Sequence, residues 1–306
     1  MKHAVITDST VAAIYGLKDC FIVQASESSK SIQMIEKLTS ELVQKGYGRD
    51  TVIVGVGGGM ICDLAGFLSS IFCRGVPLIL IPTTLLAMVD ASIGGKTAVN
   101  VPEGKNLLGS TVFPSKVILH LSFLETLPDA EWENGIIEIL KVGLLFDPDL
   151  FFHFSDHLLS SAIEKAIEAK RRVVAQDPFD KGCRALLNFG HTIGHALESL
   201  SNYTLSHGKV VAAGIVIESR LSHALGILPS HDLDMIENHF PPLQISEAPE
   251  KILAQLSSDK KAKSGVPHFV LLKKIGEPYV KEGCFSHPVD FTLLTQVLNE
   301  ACMCPR

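Results

Sequence analysis

The sequence predicts an α/β domain followed by a mainly α-helical one. Three observations carry this reading. Short apolar runs, HAVITD at 3–8, CFIVQ at 20–24 and TVIVGVGGG from 51, alternate with helical patterns over the first 128 residues, the rhythm of strands joined by crossover helices. A further run, PLILIPTT from 77, is almost wholly apolar at its start, as a strand covered on both faces of a parallel sheet must be. After Pro128 the period lengthens, with helical patterns at 131–146, 160–176, 185–200, 208–226 and 291–302 and one main strand signal at 268–272. The domains are therefore drawn as 1–128 and 129–306.

Each element has its own local signal. Residues 31–45 place Ile32, Ile35, Leu38 and Leu42 at helical spacing, and Gly46 and Gly48 end that helix. The run from Thr51 leads into glycines, and an apolar helix follows from Met60 to about Ser70. No internal repeat or low-complexity segment interrupts the order.

Composition narrows the function classes. The 306 residues are 46% hydrophobic and 20% charged, as in ordinary globular proteins. A formal charge of −6 offers no electrostatic case for nucleic acid or for an anionic membrane surface. The most apolar stretch, Val76 to Ile81, is closed by Pro82 and falls far short of the roughly 20 residues that span a bilayer. The N-terminus has no uninterrupted signal-peptide core, since Asp8 and Ser9 break it. A cytoplasmic protein is expected. Seven scattered cysteines do not make a disulfide framework, and a reduced set is expected, with Cys302 and Cys304 a weak metal signal.

Chemistry-bearing residues cluster in three places. Gly55-Val56-Gly57-Gly58-Gly59 ends a strand and opens a helix, where backbone N–H groups and the helix dipole can meet a pyrophosphate. The spacing departs from G-x-G-x-x-G, because Met60 or Cys62 occupies the last position. A nucleotide loop and a plain tight turn both remain open, and Asp63 is either a cofactor contact or an anion on the dipole. The stretch 82–109 carries Gly95-Lys96-Thr97 and Gly104-Lys105-Asn106 with Thr83, Thr84, Asp90 and Asn100 interleaved. Isolated lysines among small residues suit phosphate or carboxylate, although this is no P-loop.

The third cluster is RALLNFGHTIGHALE at 184–198. His191 and His195 lie four apart on one helical face, and Glu138 and Lys141 lie three apart on another. His207 precedes a further helix. A glutamate among Ile136, Ile137, Ile139 and Leu140 needs a partner if buried, and a metal supplies one. One Glu and two His suit zinc with open positions for substrate oxygen. HTIGH is not HExxH, and spacing alone leaves a metal site and a packing role both open.

Together these segments resemble a family. GVGGGMICDLAGF, CRGV, IPTTLLAMVDASIGGKTAVN, EGKNLLG, LETLP, GIIEILKVG, RALLNFGHTIGHALE and HGKVVAAG stand in the order and spacing of the 3-dehydroquinate synthases, a sugar-phosphate cyclase family. The likeness is strongest from about 50 to 220.

The resemblance implies an α/β NAD-binding domain, a helical metal- and substrate-binding domain, and a homodimer. It implies that Glu138, His191 and His207 bind a divalent ion, zinc or cobalt. NAD is expected on Gly57, Gly58, Gly59, Asp63, Thr83, Thr84, Lys105, Thr126 and Leu127, with Glu27 and Lys30 on the adenosine side. The substrate cage is expected from Asp90, Lys96, Asn106, Lys141, Lys170, Arg184, Asn188, His195 and one of Lys260 and Lys261, with Arg74 reaching the neighbouring subunit's phosphate site. The implied reaction converts 3-deoxy-D-arabino-heptulosonate 7-phosphate to 3-dehydroquinate and phosphate through transient oxidation by NAD, phosphate elimination, re-reduction, ring opening and aldol closure.

This chain departs from the pattern in a short segment from Tyr15 to Cys20, in Asp180 where glutamate is usual and in Lys209 where an acid commonly follows His-Gly. Three other readings are distinguishable. A sister cyclase would use sedoheptulose 7-phosphate or glucose 6-phosphate, which lack the carboxylate that Lys170, Arg184 and Asn188 suit. A metal-dependent polyol dehydrogenase would form net NADH. A non-catalytic nucleotide-binding protein would not need the Glu-His-His set.

Overall fold

The computed structural model describes residues 1–202, 204–240, 245, 247–258 and 266–303. The chain divides into two compact units, Met1–Gly135 and Ile136–Arg306.

The first unit is organised on a five-stranded parallel sheet. Its strands are β1 (Lys2–Asp8), β2 (Phe21–Val23), β3 (Thr51–Gly57), β4 (Leu78–Pro82) and, past the hairpin of β5 (Lys96–Val101) with β6 (Gly104–Thr111), β7 (Lys116–Val117). They lie in the order β2-β1-β3-β4-β7. Register aligns Val5 with Val54 and Val54 with Ile79.

Side chains alternate across β3, so its two faces pack separately. Ile53 joins Ile6, Ile35, Leu38, Leu64 and Leu68, under α2 (Ile32–Gln44) and α3 (Gly59–Ile71). Val52, Val54 and Val56 pack instead with Val11 of the short helix α1 (Ser9–Tyr15). This two-sided cover makes every residue of β3 buried. The Asp8 carboxylate caps α1 by accepting from the N–H groups of Thr10 and Val11 at 2.9 Å, and Ser31 caps α2.

The stretch expected as anion loops is a ladder in part. β5 and β6 pair antiparallel, Thr97 with Ser110 and Val99 with Leu108. The alternation of TAVNV was masked in the sequence by the surrounding glycines and lysines.

The second unit is mainly helical, as expected. It contains most of α4 (Asp129–Phe146), then α5 (Pro148–Phe152), α6 (Leu159–Gln176), α7 (His191–Leu200), α8 (His207–Ala224), α9 (Ser230–His239), α10 (Pro249–Ser258) and α11 (Phe291–Met303). Two small ladders accompany them, one pairing His268–Phe269 with His287–Pro288 and one pairing Leu272–Lys274 with Glu277–Pro278. Leu144, Phe151, Phe189, Ile193, Val211, Ile215, Phe269 and Leu294 form one core. Truncating a fully buried aromatic such as Phe189 to Ala costs about 3–5 kcal/mol.

The helix expected over 185–200 is broken. A 3-10 segment covers Cys183–Asn188, and α7 starts only at His191. Gly190 between them adopts φ +77°, which ends the first helical run and re-aims the second. The helices α9 and α10 were not expected from the sequence.

Among the described residues no helix is long and apolar enough to cross a membrane. Cys20, Cys62, Cys73, Cys183 and Cys284 are free thiols. Burial in the sheet-facing side of α3 pushes the Cys62 thiol well above its ordinary value.

Candidate active site

In the first unit the β3–α3 turn is tight for steric reasons. A Cβ on Gly57 would lie 2.7 Å from the Ile61 side chain, so the strand can enter the helix here only without a side chain. Gly58 caps α3 with no side-chain hydrogen bond. Thr83 donates its N–H to the Gly57 carbonyl at 3.0 Å, and the Thr84 hydroxyl accepts the Ala87 N–H at 3.1 Å. The strand ends carrying Gly57 to Gly59 and Thr83 and Thr84 are thus adjacent.

Beside this turn lies a polar network. Lys30, 5% exposed, forms an ion pair with Asp63 and donates to the Asn106 side-chain oxygen at 2.6 Å. Asn100 ties in the next strand, donating its N–H to the Lys30 carbonyl at 2.7 Å and its amide to Glu27 at 2.8 Å. Burial raises the Asp63 carboxyl above its ordinary value, with Lys30 pulling the other way. A cavity of about 610 Å³ is lined by Asp63, Lys96, Thr97, Asn106 and Thr111 among others. Asn106, expected in the substrate cage, therefore turns toward Lys30 and Asp63, with φ +57° at the start of β6. The sequence reading singled out Asn100 in the loop without giving it a role, and the structure shows it bridging Glu27 and Lys30.

The remaining expected residues of this unit are more dispersed. Thr126 pairs its hydroxyl with Tyr15 at 2.6 Å, and Leu127 follows it at the end of a 3-10 turn. Arg74 is exposed in a turn where Cys73, Arg74 and Gly75 all have positive φ. Lys96 begins β5, Lys105 lies on β6, and Asp90 lies in a π-helical turn, Ala87–Ala91.

In the second unit three side chains far apart in sequence converge. Glu138, His191 and His207 offer ligand atoms that all lie within 4.8 Å of one another. His207 Nε2 is 3.2 Å and His191 Nε2 is 3.5 Å from the same oxygen, Glu138 Oε1. Their positions follow from helix starts. His191 is the first residue of α7, His207 is the first of α8, and Glu138 faces inward from the middle of α4. His191 Nδ1 lies 3.1 Å from the Phe189 carbonyl. With Nδ1 donating to that carbonyl, a neutral ring would keep its Nε2 lone pair for an ion beside Glu138.

Electrostatics suits this set to a cation. Burial alone would raise the Glu138 carboxyl, but Lys141, His191 and His207 outweigh it and hold the pKa well below the ordinary value. Burial, then Lys141, keeps His191 well below the usual imidazole value, so it stays neutral and able to donate a lone pair. A tetrahedral ion with bonds of about 2.1 Å keeps its ligands about 3.4 Å apart. The observed 3.2 and 3.5 Å separations fit that spacing. The donor set, one carboxylate and two imidazoles, is that of a zinc-type site with room for exogenous oxygen.

Of the other expected residues in this unit, His195 and Lys141 adjoin the triad. The His195 ring centroid is 5.4 Å from that of His191. Lys141 pairs with Glu138, and Lys170 and Arg184 are 7% and 4% exposed, unusual burial for cations. Asn188 donates its amide to the Ala185 carbonyl at 3.2 Å. Lys260 and Lys261 lie outside the described residues.

Two residues of this region were not singled out from the sequence. Asp177 accepts backbone N–H groups from Lys181, Gly182 and Arg184 at 2.7–3.0 Å and so shapes the turn that delivers Arg184. The hydrogen bond from Lys181, then those from Arg184 and Gly182, lower its pKa. The D-x-x-x-K-G spacing of DPFDKG was the available signal. Glu218, wholly buried on α8, accepts the Gly190 N–H at 2.8 Å. A lone glutamate in AAGIVIESRL was its only mark in the sequence.

The family model for the N-terminal part of 3-dehydroquinate synthase matches residues 20–134, and that for the C-terminal part matches 135–262. The 3-dehydroquinate synthase of Shewanella denitrificans is 36% identical, over 97% of this chain and 90% of its own length. That of Idiomarina loihiensis is 39% identical, over 92% of this chain and 82% of its own. Among solved structures, 2-deoxy-scyllo-inosose synthase complexed with carbaglucose-6-phosphate, NAD+ and Co2+ has a TM-score of 0.86 at 27% identity, covering 98% of this chain and 90% of that one. The 2-epi-5-epi-valiolone synthase of Streptomyces hygroscopicus, with NAD+ and Zn2+, has a TM-score of 0.85 at 26% identity, covering 99% and 91%. A probable glycerol dehydrogenase of Sinorhizobium meliloti, at 14% identity and TM-score 0.63, shares the fold.

Proposed function

The chain belongs to the 3-dehydroquinate synthase family, and from that premise we propose that it converts 3-deoxy-D-arabino-heptulosonate 7-phosphate to 3-dehydroquinate and phosphate. It is then a phosphorus–oxygen lyase that uses NAD catalytically and a divalent metal, zinc or cobalt. The observation that carries the metal assignment is the meeting of His191 and His207 at one oxygen of Glu138.

In this reading Glu138, His191 and His207 hold the ion, and the β3–α3 turn with Thr83, Thr84, Asp63, Lys30, Glu27, Lys105, Thr126 and Leu127 holds NAD. When bound, NAD supplies reversible hydride removal and the ion supplies positive charge for a substrate oxygen. The chain's own residues do the rest. Lys170, Arg184 and Asn188 orient the carboxylate end, since guanidinium and ammonium donors held by the fold fix an anion's register. Lys96, Asp90, Asn106 and one of Lys260 and Lys261 complete the cage. His195 moves a proton on the phosphate side, an imidazole being suited to that at neutral pH. Lys141 keeps Glu138 ionised. The same reading divides the chain near 128 and makes it a cytoplasmic homodimer, with Arg74 contributing to the partner's phosphate site.

The two buried cations, Lys170 and Arg184, favour the heptulosonate over substrates without a carboxylate. The test measures phosphate release from the heptulosonate phosphate and from sedoheptulose 7-phosphate side by side, with NAD and zinc or cobalt added. Release from the heptulosonate with no net NADH supports the proposal. Release only from the sedoheptulose phosphate, or net NADH accumulation, overturns it.

A further inference from the structure

We infer that Glu218 is a positioning residue for the metal site, acting on His191 through the Gly190 backbone. This rests on the reading of Glu138, His191 and His207 as metal ligands.

The argument begins with the face of one helix. At about 100° per residue, His207, Val211, Gly214 and Glu218 fall within about 60° of one another on α8. One stripe therefore carries a candidate ligand, a notch and a buried carboxylate. The notch takes the turn before α7. A Cβ on Gly214 would lie 1.8 Å from the Gly190 carbonyl oxygen, and a Cβ on Gly190 would lie 2.6 Å from Ile215 Cγ1 and 2.8 Å from the Val211 carbonyl. The two backbones are in contact because both residues are glycine.

Contact alone leaves Gly190 free to slide along the notch. Its N–H removes that freedom by donating to Glu218 Oε2 at 2.8 Å. The next residue is His191, whose Nδ1 is held by the carbonyl of the preceding Phe189. The turn Phe189-Gly190-His191 is thus tied at its carbonyl contact, at its N–H and at the imidazole itself. Through these ties α8 sets both His207, directly, and His191, by way of Glu218.

Packing does not require a carboxylate here. Glu218 is 0% exposed, among Ile215, Ile217 and Leu221 of the core, and burying an acid costs free energy that an apolar side chain would not. The carboxylate supplies an acceptor for the buried Gly190 N–H, and that bond sets the α7 start against α8. Outer partners that orient a ligand typically govern metal affinity by 10–100-fold.

The test uses the full chain stripped of metal and titrated with Co2+, followed by visible absorption of the bound ion. Glu218→Leu removes the acceptor while keeping bulk, and Glu218→Gln restores a neutral acceptor. The Leu variant should bind Co2+ at least about tenfold more weakly with an altered absorption envelope, while the Gln variant stays within about twofold with the parent spectrum. A Leu variant with parent affinity and spectrum overturns the proposal, and so does a Gln variant as impaired as the Leu one. Should the Leu variant fail to fold, Glu218→Asp, one methylene shorter, carries the same expectation and the same overturning result. Failure of the parent itself to bind Co2+ would instead sink the metal-site reading beneath it.

Discussion

Lys141 takes the oxygen of Glu138 that the histidines leave. Lys141 Nζ pairs with Glu138 Oε2, whereas His191 and His207 both face Oε1, and the carboxylate and the ammonium are each 3% exposed. The two oxygens of one carboxylate therefore have separate duties, and the i, i+3 spacing on α4 makes that division possible.

Removing Lys141 should expose the cost of burying Glu138. Lys141→Met is expected to destabilise the metal-free protein by about 3–5 kcal/mol, the usual penalty for leaving one member of a buried pair alone. Added zinc should recover much of that loss, since a cation at Oε1 compensates the same carboxylate. Thermal melts with and without zinc check this. A zinc-induced rise in Tm no larger than in the parent would count against it.

His191→Ala should fold and lose the ion. The expected drop in zinc affinity exceeds about 100-fold, beyond what outer partners control, and phosphate release should fall with it. Metal content after dialysis, beside the melting temperature, separates loss of the site from loss of the fold. Full activity in this variant would remove His191 from the ligand set.

Lys30→Met should weaken NAD binding about 10–100-fold, the loss of a charge-assisted hydrogen bond worth roughly 1.5–3 kcal/mol. Lys30 ties Asp63 of the proposed nucleotide seat to Asn106 of the proposed substrate cage, so its loss removes a cofactor contact and frees Asp63 at once. Calorimetric titration with NAD measures it. Unchanged affinity would show that the network is structural only.

Asp177 predicts an acid limb in stability. Its folded pKa is lowered, first by the Lys181 N–H, so its contribution is fully present above the unfolded value of about 3.9 and is lost as pH falls through the folded value. Urea midpoints should therefore decline below about pH 4 in the parent, and less steeply in Asp177→Asn. The same variant should lose phosphate release at neutral pH, because the turn that carries Arg184 loses its anchor. An unaltered acid limb would contradict the assignment.

Much of this architecture was readable in advance. Apolar strands between helical repeats marked the parallel sheet, whereas Glu138, His191 and His207 were named together through the family resemblance, spacing alone having left a packing role open. The hairpin of β5 and β6 was not readable, since glycines and lysines hide a two-residue alternation that only pairing stabilises. Nor was the break at Gly190, because a helical period runs through RALLNFGHTIGHALE and nothing local forces a left-handed residue there. Asn106 joined Lys30 and Asp63 for a similar reason, since its neighbours depend on where β6 lies.

Local chemistry, then, determined most of the strands and the longer helices and which residue types could bind an anion or a cation, because backbone preference and apolar periodicity act over a few residues. Tertiary structure alone decided that Oε1 of Glu138 meets two imidazoles 53 and 69 residues away, and that Glu218 hooks the turn before His191. How closely the start of α7 approaches α8 is set by two glycines in contact across the pair, a contact no single segment encodes.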